Sequence, residues 1–441
     1  MKMDNKPKSL PVKTILKTWW PLALSWLLMA LELPALSSIV SRLADPKINL
    51  AAYGGIVFPL ALIIEAPIIM LLAASTALSK DWDSYQKIRK FMHYTSAALT
   101  ALHILVVSTP LYFFITRNLI GSPEEIILPA RYGLAIMLPW TWSIAYRRFN
   151  QGVLIRFGHT RVVSQGTFVR LLADILVLAL GYWLGNIPGI VVATSAVAAG
   201  VVSEALYIGI KVKPALEELK EQPISDPVLT RSAFLKYYIP LALTSLITLI
   251  SQPLISTALS RMPRALDSLA VWPVLSGLLF LFRSPGIAYN EVVVSLLDEP
   301  GSYHPLKKIA QYIALASTVL LLVVVSTPAS RIWLISITSL PESLYPLART
   351  ALWFCLLVPG ANTFQSWFQG ILLNKGITKG IPEAVAVFLF STIIIYLIGI
   401  ITAKFPGIYI GTLGFSVGMI LQTIWLKRKT RLATSVPQAV S

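Results

Sequence analysis

The chain has 441 residues, of which 56% are hydrophobic and only 13% charged, with a mean hydropathy of +0.71 and a formal net charge of +17. Soluble globular domains carry roughly 25% charged residues, so this composition excludes one and points to a polytopic membrane protein. The Lys and Arg residues fall in short segments between apolar runs, which follows the positive-inside rule and speaks against a nucleic-acid partner.

Apolar runs of about 20 residues recur along the chain, and in lipid such runs must satisfy their own backbone as helices. Twelve spans are expected near 18–41, 51–79, 91–116, 126–155, 161–185, 189–211, 233–259, 268–297, 307–336, 345–373, 383–403 and 408–426. Prolines within them (Pro34, Pro67, Pro110, Pro139, Pro253, Pro285, Pro328, Pro359) predict kinks. The basic start, MKMDNKPKSLPVKTILKTWW, runs into a full span without a small-residue cleavage site and reads as a lead-in to the first helix. The excess of Lys and Arg lies on the side of both termini, which places them in the cytoplasm of a cell-membrane protein. Cys355, the single cysteine, allows neither an internal disulfide nor a cysteine-based metal site and reads as a small core residue.

The chain repeats itself. PLALS at Pro21–Ser25 meets PLALT at Pro240–Thr244, and the same shift of 219 brings Pro34 onto Pro253 and Ser41–Arg42 onto Ser260–Arg261. After the loss of one residue the shift is 218, bringing Pro67 onto Pro285, VVSTP at 106–110 onto VVSTP at 324–328, Arg131 onto Arg349, and QGVLI at Gln151–Ile155 onto QGILL at Gln369–Leu373. Register kept across five spans is not compositional chance. Each half holds six spans, so both enter the membrane from the same side as parallel repeats, an arrangement of transporters with substrate near the repeat interface. The expected organisation is an N-terminal lobe (1–210), a polar cytoplasmic linker (211–232), a C-terminal lobe (233–426) and a basic tail (427–441).

The pattern QGxLxxxGxT in the fourth span of each half (Gln151, Gly152, Leu154, Gly158, Thr160; Gln369, Gly370, Leu372, Gly376, Thr378), with twelve spans in two parallel lobes and a proline in the first span of each, resembles the multidrug/oligosaccharidyl-lipid/polysaccharide (MOP) exporter superfamily. That group holds the MATE drug exporters, the polysaccharide and lipid II flippases and the progressive-ankylosis proteins. AAYGG at Ala51–Gly55, WWPLALS at Trp19–Ser25 and Asn290–Glu291 look closest to the progressive-ankylosis type, whose members are linked to export of small polyanions. The resemblance implies an all-α fold of two V-shaped six-helix bundles around a central cavity, and export by rocking of the lobes.

The repeat also serves as a control, because a residue present in both halves is scaffold and one present in a single half needs another reason. Mid-span charges are of the second kind: Glu32 aligns with Ser251, Glu65 with Arg283, Arg147 with Gln365, Arg148 with Ser366, Arg170 with Phe388, Asp174 with Thr392, and Glu291 with Ala73. A charge at the bilayer centre costs about 2.5–3.5 kcal/mol, so each needs a cavity, a partner or an interface. Arg147, Arg170 and Arg283, with Asn290, Gln252 and Gln369, are the candidate substrate contacts. Glu32, Glu65, Asp174 and Glu291 are candidates for coupling to a proton or sodium ion, against the alternative of carboxylates held by arginine. Arg170 and Asp174, four apart, share a helix face and can pair internally; Arg148 can snorkel; Arg283 can pair with Glu65 instead of meeting substrate. His103 reads as a satisfied core histidine.

No Walker motif, His/Cys metal cluster or nucleophile triad is present, so neither ATP hydrolysis nor a metal cofactor is expected. Three functions follow: a secondary transporter of a small organic or anionic solute; a flippase for a lipid-linked, phosphate-bearing head group; and, least supported, a lipid-modifying membrane enzyme resting on His103 or His159. The partners expected are substrate, coupling ion and membrane lipid, with the chain a monomer.

Overall fold

The computed structural model describes residues 10–224, 228–375, 377 and 379–435, with side chains through Leu432. Gly376 and Thr378 of the second motif, residues 225–227 of the linker and the chain ends lie outside the described residues. Eleven helices among them are long and apolar enough to cross a membrane. In chain order these and one further helix are α1 (Val12–Val40), α2 (Pro46–Leu78), α3 (Trp82–Ser108), α4 (residues 124–156), α5 (Thr160–Leu184), α6 (Gly189–Lys211), α7 (Arg231–Ser260), α8 (Ala265–Leu296), α9 (Tyr303–Ser326), α10 (Glu342–Asn374), α11 (Gly380–Thr402) and α12 (Gly407–Leu432). The exception in apolarity is α4, because Arg147, Asn150 and Gln151 occupy its second half; all three are buried in protein, where such groups can be met without lipid contact.

Breaks in the spans keep the register of the repeat. The helix of α1 stops at Leu31 and that of α7 at Ile250; α2 stops at Met70 and α8 at Ala288; α4 stops at Met137 and α10 at Cys355. Prolines account for the first pair, since the rings of Pro34 and Pro253 clash with carbonyls one turn earlier. The twin VVSTP segments end α3 and α9 at Ser108 and Ser326, and each is followed by a π-helical stretch, Phe114–Ile120 and Ile332–Ile337. At its other end α3 starts on a reciprocal cap: Asp81 Oδ1 accepts from Ser84 N at 2.9 Å while Ser84 Oγ accepts from Asp81 N at 3.1 Å.

Packing divides the chain differently from its repeat. One compact unit comprises residues 1–34, 274–338 and 342–441; the other comprises 35–273 and 339–341. The first span of each half, α1 as far as Pro34 and the whole of α7, thus belongs to the unit made mostly of the other half. In the first unit Ile15 of α1 is fully buried against Tyr289, Val292 and Val293 of α8. Trp19 Nε1 donates to the Pro285 carbonyl at 2.9 Å. In the second unit the residue equivalent to Trp19, Tyr238 of α7, donates through its hydroxyl to the carbonyl of Pro67, the equivalent of Pro285. An aromatic on the first span of each half therefore holds the kink proline in the second span of the other half.

Candidate functional site

The shared motif is first a packing device. A Cβ added at Gly152 would lie 2.6 Å from the Leu72 carbonyl oxygen and 2.6 Å from Ser75 Cβ; at Gly370 it would lie 2.7 Å from Val293 Cβ and 3.1 Å from the Asn290 carbonyl oxygen. Those contacts are again equivalents at a shift of 218, so the two glycines let α4 close on α2 and α10 close on α8. The neighbouring glutamines are then brought to a polar region in each unit.

In the unit of residues 35–273 that region is a charge cluster. Arg147 of α4 forms an ion pair with Glu204 of α6, whose side chain is fully buried. Gln151 Nε2 donates to the other Glu204 oxygen at 3.0 Å. Arg170 Nε stands 3.9 Å from Asp174 Oδ2, one turn on along α5. Glu65 of α2, 4% exposed, lies in the electrostatic reach of Arg148, Arg147 and Arg170, yet its Oε2 has no hydrogen-bond partner among the described residues. Asp174 presses against the backbone of α6, where a Cβ on Gly200 would clash with its carboxylate. The sequence-predicted Arg147, Arg170, Glu65 and Asp174 thus come together, joined by Arg148, whose Nε is buried.

The other unit holds a cavity of about 410 Å³ lined by Arg283, Asn290, Glu291, Asn362, Gln369 and Trp26, among others. Arg283, next to Pro285 in α8, donates from Nε at 3.1 Å and from Nη2 at 3.0 Å to Asn362 Oδ1, and its guanidinium lies 5.6 Å over the Phe415 ring. No carboxylate stands within ion-pair distance of it among the described residues. Asn290 Nδ2 donates to Gln369 Oε1 at 3.5 Å. Here Arg283, Asn290, Gln369 and Glu291 come together as one cavity wall. Gln252 and Glu32 are not among the residues of either group: both are half-buried, Glu32 as the first residue of the helical segment beyond the break in α1 and Gln252 as the second residue of that beyond the break in α7. His103 is fully buried, with Nδ1 3.3 Å from Thr141 Oγ1 and Nε2 3.0 Å from the Leu134 carbonyl.

Trp26 and Glu204 are among the residues of these sites that were not sequence candidates. Trp26 gave no signal beyond its place in an apolar run. Glu204 did: the shift of 218 carries it onto Gln422, at the spacing that carries Arg147 onto Gln365. In the structure Gln365 Nε2 does donate to Gln422 Oε1 at 3.3 Å, and to the Met419 carbonyl at 2.9 Å.

No protein-family model matches the chain, and no curated protein is similar enough in sequence to count as a relative. Solved structures match over nearly its whole length. An inward-facing multidrug resistance MATE family transporter of the MOP superfamily superposes with a TM-score of 0.70, covering 95% of this chain and 99% of its own at 15% identity. The fold is that of the MATE transporters. A MOP superfamily transporter from Pyrococcus furiosus, described by a reversed polarity of its binding pocket that suggests a different function, gives 0.66 over 97% of this chain and 100% of its own at 17% identity. The lipid II flippase MurJ, inward closed, gives 0.66 over 93% and 87% at 16% identity. The MATE fold accounts for the twelve spans, α4 included, and for their twofold repetition.

Proposed function

We propose that the chain is a secondary transporter of the MOP type that moves a small organic, anion-bearing solute by alternating exposure of its binding site. The observation that carries this reading is Arg283. It is a cation in the wall of a polar cavity, held in place by a neutral amide and with no carboxylate of the described residues within ion-pair distance, so its charge is available to an anionic group. Asn290 and Gln369 supply hydrogen bonds beside it, and Arg147 and Arg170, each facing a carboxylate in the other unit, are secondary candidates for contact with the solute. Glu65 is the coupling carboxylate in this scheme, because an oxygen without a donor is free to take a proton or sodium ion while the ion pair of Arg147 and Glu204 persists. Asp174 and Glu291 are secondary candidates for the same role. The transporter sits in the cell membrane as a monomer with both termini in the cytoplasm, energised by an ion gradient.

Purified protein in liposomes tests this. Uptake of candidate organic anions under a proton or sodium gradient is expected, falling at least tenfold in Arg283→Gln and surviving in part in Arg283→Lys. Failure of the wild type to move any solute under any gradient overturns the proposal; full activity of Arg283→Gln removes the role of that residue. Equal dependence of the transport rate on pH in the wild type and Glu65→Gln removes the coupling role.

A second reading is favoured by the match to a lipid II flippase, since lipid-linked phosphates suit the same guanidinium. It expects the protein to equilibrate a phosphate-bearing lipid between leaflets of the liposome, with no uptake of water-soluble anions.

A further inference from the structure

The unit of residues 35–273 carries a groove of about 710 Å³ that the transport reading does not use. It lies between the first half of α3 and the start of α7. Its walls are apolar and aromatic, among them Phe91, Ala98, Leu99 and Phe234, and its rim holds Lys87, Lys90 and Arg231. Lys87 is committed already, to Asp83 at 2.7 Å and to the Leu229 carbonyl at 3.0 Å. Lys90 and Arg231 are exposed and form no ion pair among the described residues.

The repeat again gives a control. The positions equivalent to Phe91, Thr95 and Phe234 are Ile309, Ile313 and Ile15, and in the other unit these three pack together in a closed core. The positions equivalent to Lys87, Lys90 and Arg231 are Pro305, Lys308 and Val12, so two of the three cations are missing there. The same backbone arrangement is therefore filled and nearly uncharged in one unit, and open with a cationic rim in the other.

We propose that this groove binds an anionic phospholipid, its phosphate between Lys90 and Arg231 and an acyl chain along Phe91, Ala98 and Phe234. Both groove helices begin at this rim, so the cations stand at the edge of the membrane and the apolar walls run into it, matching the polarity of a lipid from head to tail. Such a lipid would also touch the holding point of α2. Phe91 and Phe234 stack edge-on at 4.8 Å, both pack against Tyr238, at 5.0 and 5.4 Å, and Tyr238 reaches the Pro67 carbonyl two residues from Glu65.

The test is native mass spectrometry of the purified full chain in detergent with added phosphatidylglycerol or phosphatidylcholine. The wild type is expected to retain phosphatidylglycerol in preference, with about fivefold weaker retention for each cation removed in Lys90→Ala/Arg231→Ala. Ala98→Trp fills the apolar wall with the charges intact and is expected to lose the lipid as well. Lys308→Ala, at the equivalent position of the closed unit, is expected to retain it. Unchanged retention in the double variant or in Ala98→Trp, equal loss in Lys308→Ala, equal retention of phosphatidylcholine, or a protein dimer that Ala98→Trp abolishes would each overturn the assignment. None of these outcomes depends on transport through the cavity at Arg283.

Discussion

Arg147 with Glu204, and Gln365 with Gln422, stand 57 residues apart in each case and join equivalent spans, α4 to α6 in one unit and α10 to α12 in the other. The second pair holds its helices with two neutral amides. Geometry alone therefore does not require an ion pair, and burying one costs desolvation that an amide pair avoids. The charges in the unit of residues 35–273 need a reason other than packing, and Glu65, set among the same arginines, supplies one. At these paired positions the two units share one scaffold, and only the unit of residues 35–273 has an ion pair built into it.

This comparison can be broken in several ways. The largest effect is expected for Glu204→Ala, which leaves Arg147 buried without its carboxylate and should lower stability by about 3–5 kcal/mol, whereas Gln422→Ala should cost about 1 kcal/mol. Thermal melting in detergent reads both, and equal losses would mean that the ion pair is energetically no different from its amide counterpart. Arg147→Gln/Glu204→Gln gives the unit of residues 35–273 the amide chemistry of Gln365 and Gln422; melting is expected near that of the wild type, with transport abolished. Next comes Gly152→Ala, where the new methyl meets a backbone carbonyl and should cost about 1–3 kcal/mol. Gly370→Ala, facing the Val293 side chain, is expected to fall at the lower end of that range. The smallest effect belongs to Tyr238→Phe, which removes one hydrogen bond to the Pro67 carbonyl and should cost about 1 kcal/mol in the same melting assay. A larger loss would show that the aromatic ring cluster with Phe91 and Phe234 depends on that bond.

Much of this architecture is written plainly in the residues. Prolines and small residues keep their spacing because a kink or a close helix crossing tolerates few substitutes, so the shift from 219 to 218 and the positions of the breaks could be read directly. The exchange of first spans could not, since a repeat says which residues are equivalent and nothing about which copy a helix docks against. Only Trp19 and Tyr238 meeting the proline of the opposite half makes it visible. Arg283, Asn290 and Gln369 were legible as polar residues in apolar helices, and their convergence depends on the α8 break at Ala288 and the closure at Gly370. Glu204 is masked in sequence by a run of small and apolar residues, although its match to Gln422 points to it. The groove beside α3 left almost no trace in sequence, because an opening is made by what the aromatic side chains fail to fill.

The bond from Trp19 to Pro285 spans 266 positions of chain. During synthesis, at about 5–20 residues per second, α1 must therefore wait roughly 10–50 s before its partner helix exists. The unit of residues 35–273 has nearly all of its chain by then, whereas the unit that includes α1 cannot close until the second half has emerged. An insertion machinery or lipid surface must shelter the exposed face of α1 in the meantime, so the order of assembly runs from the charged unit to the unit that holds Arg283.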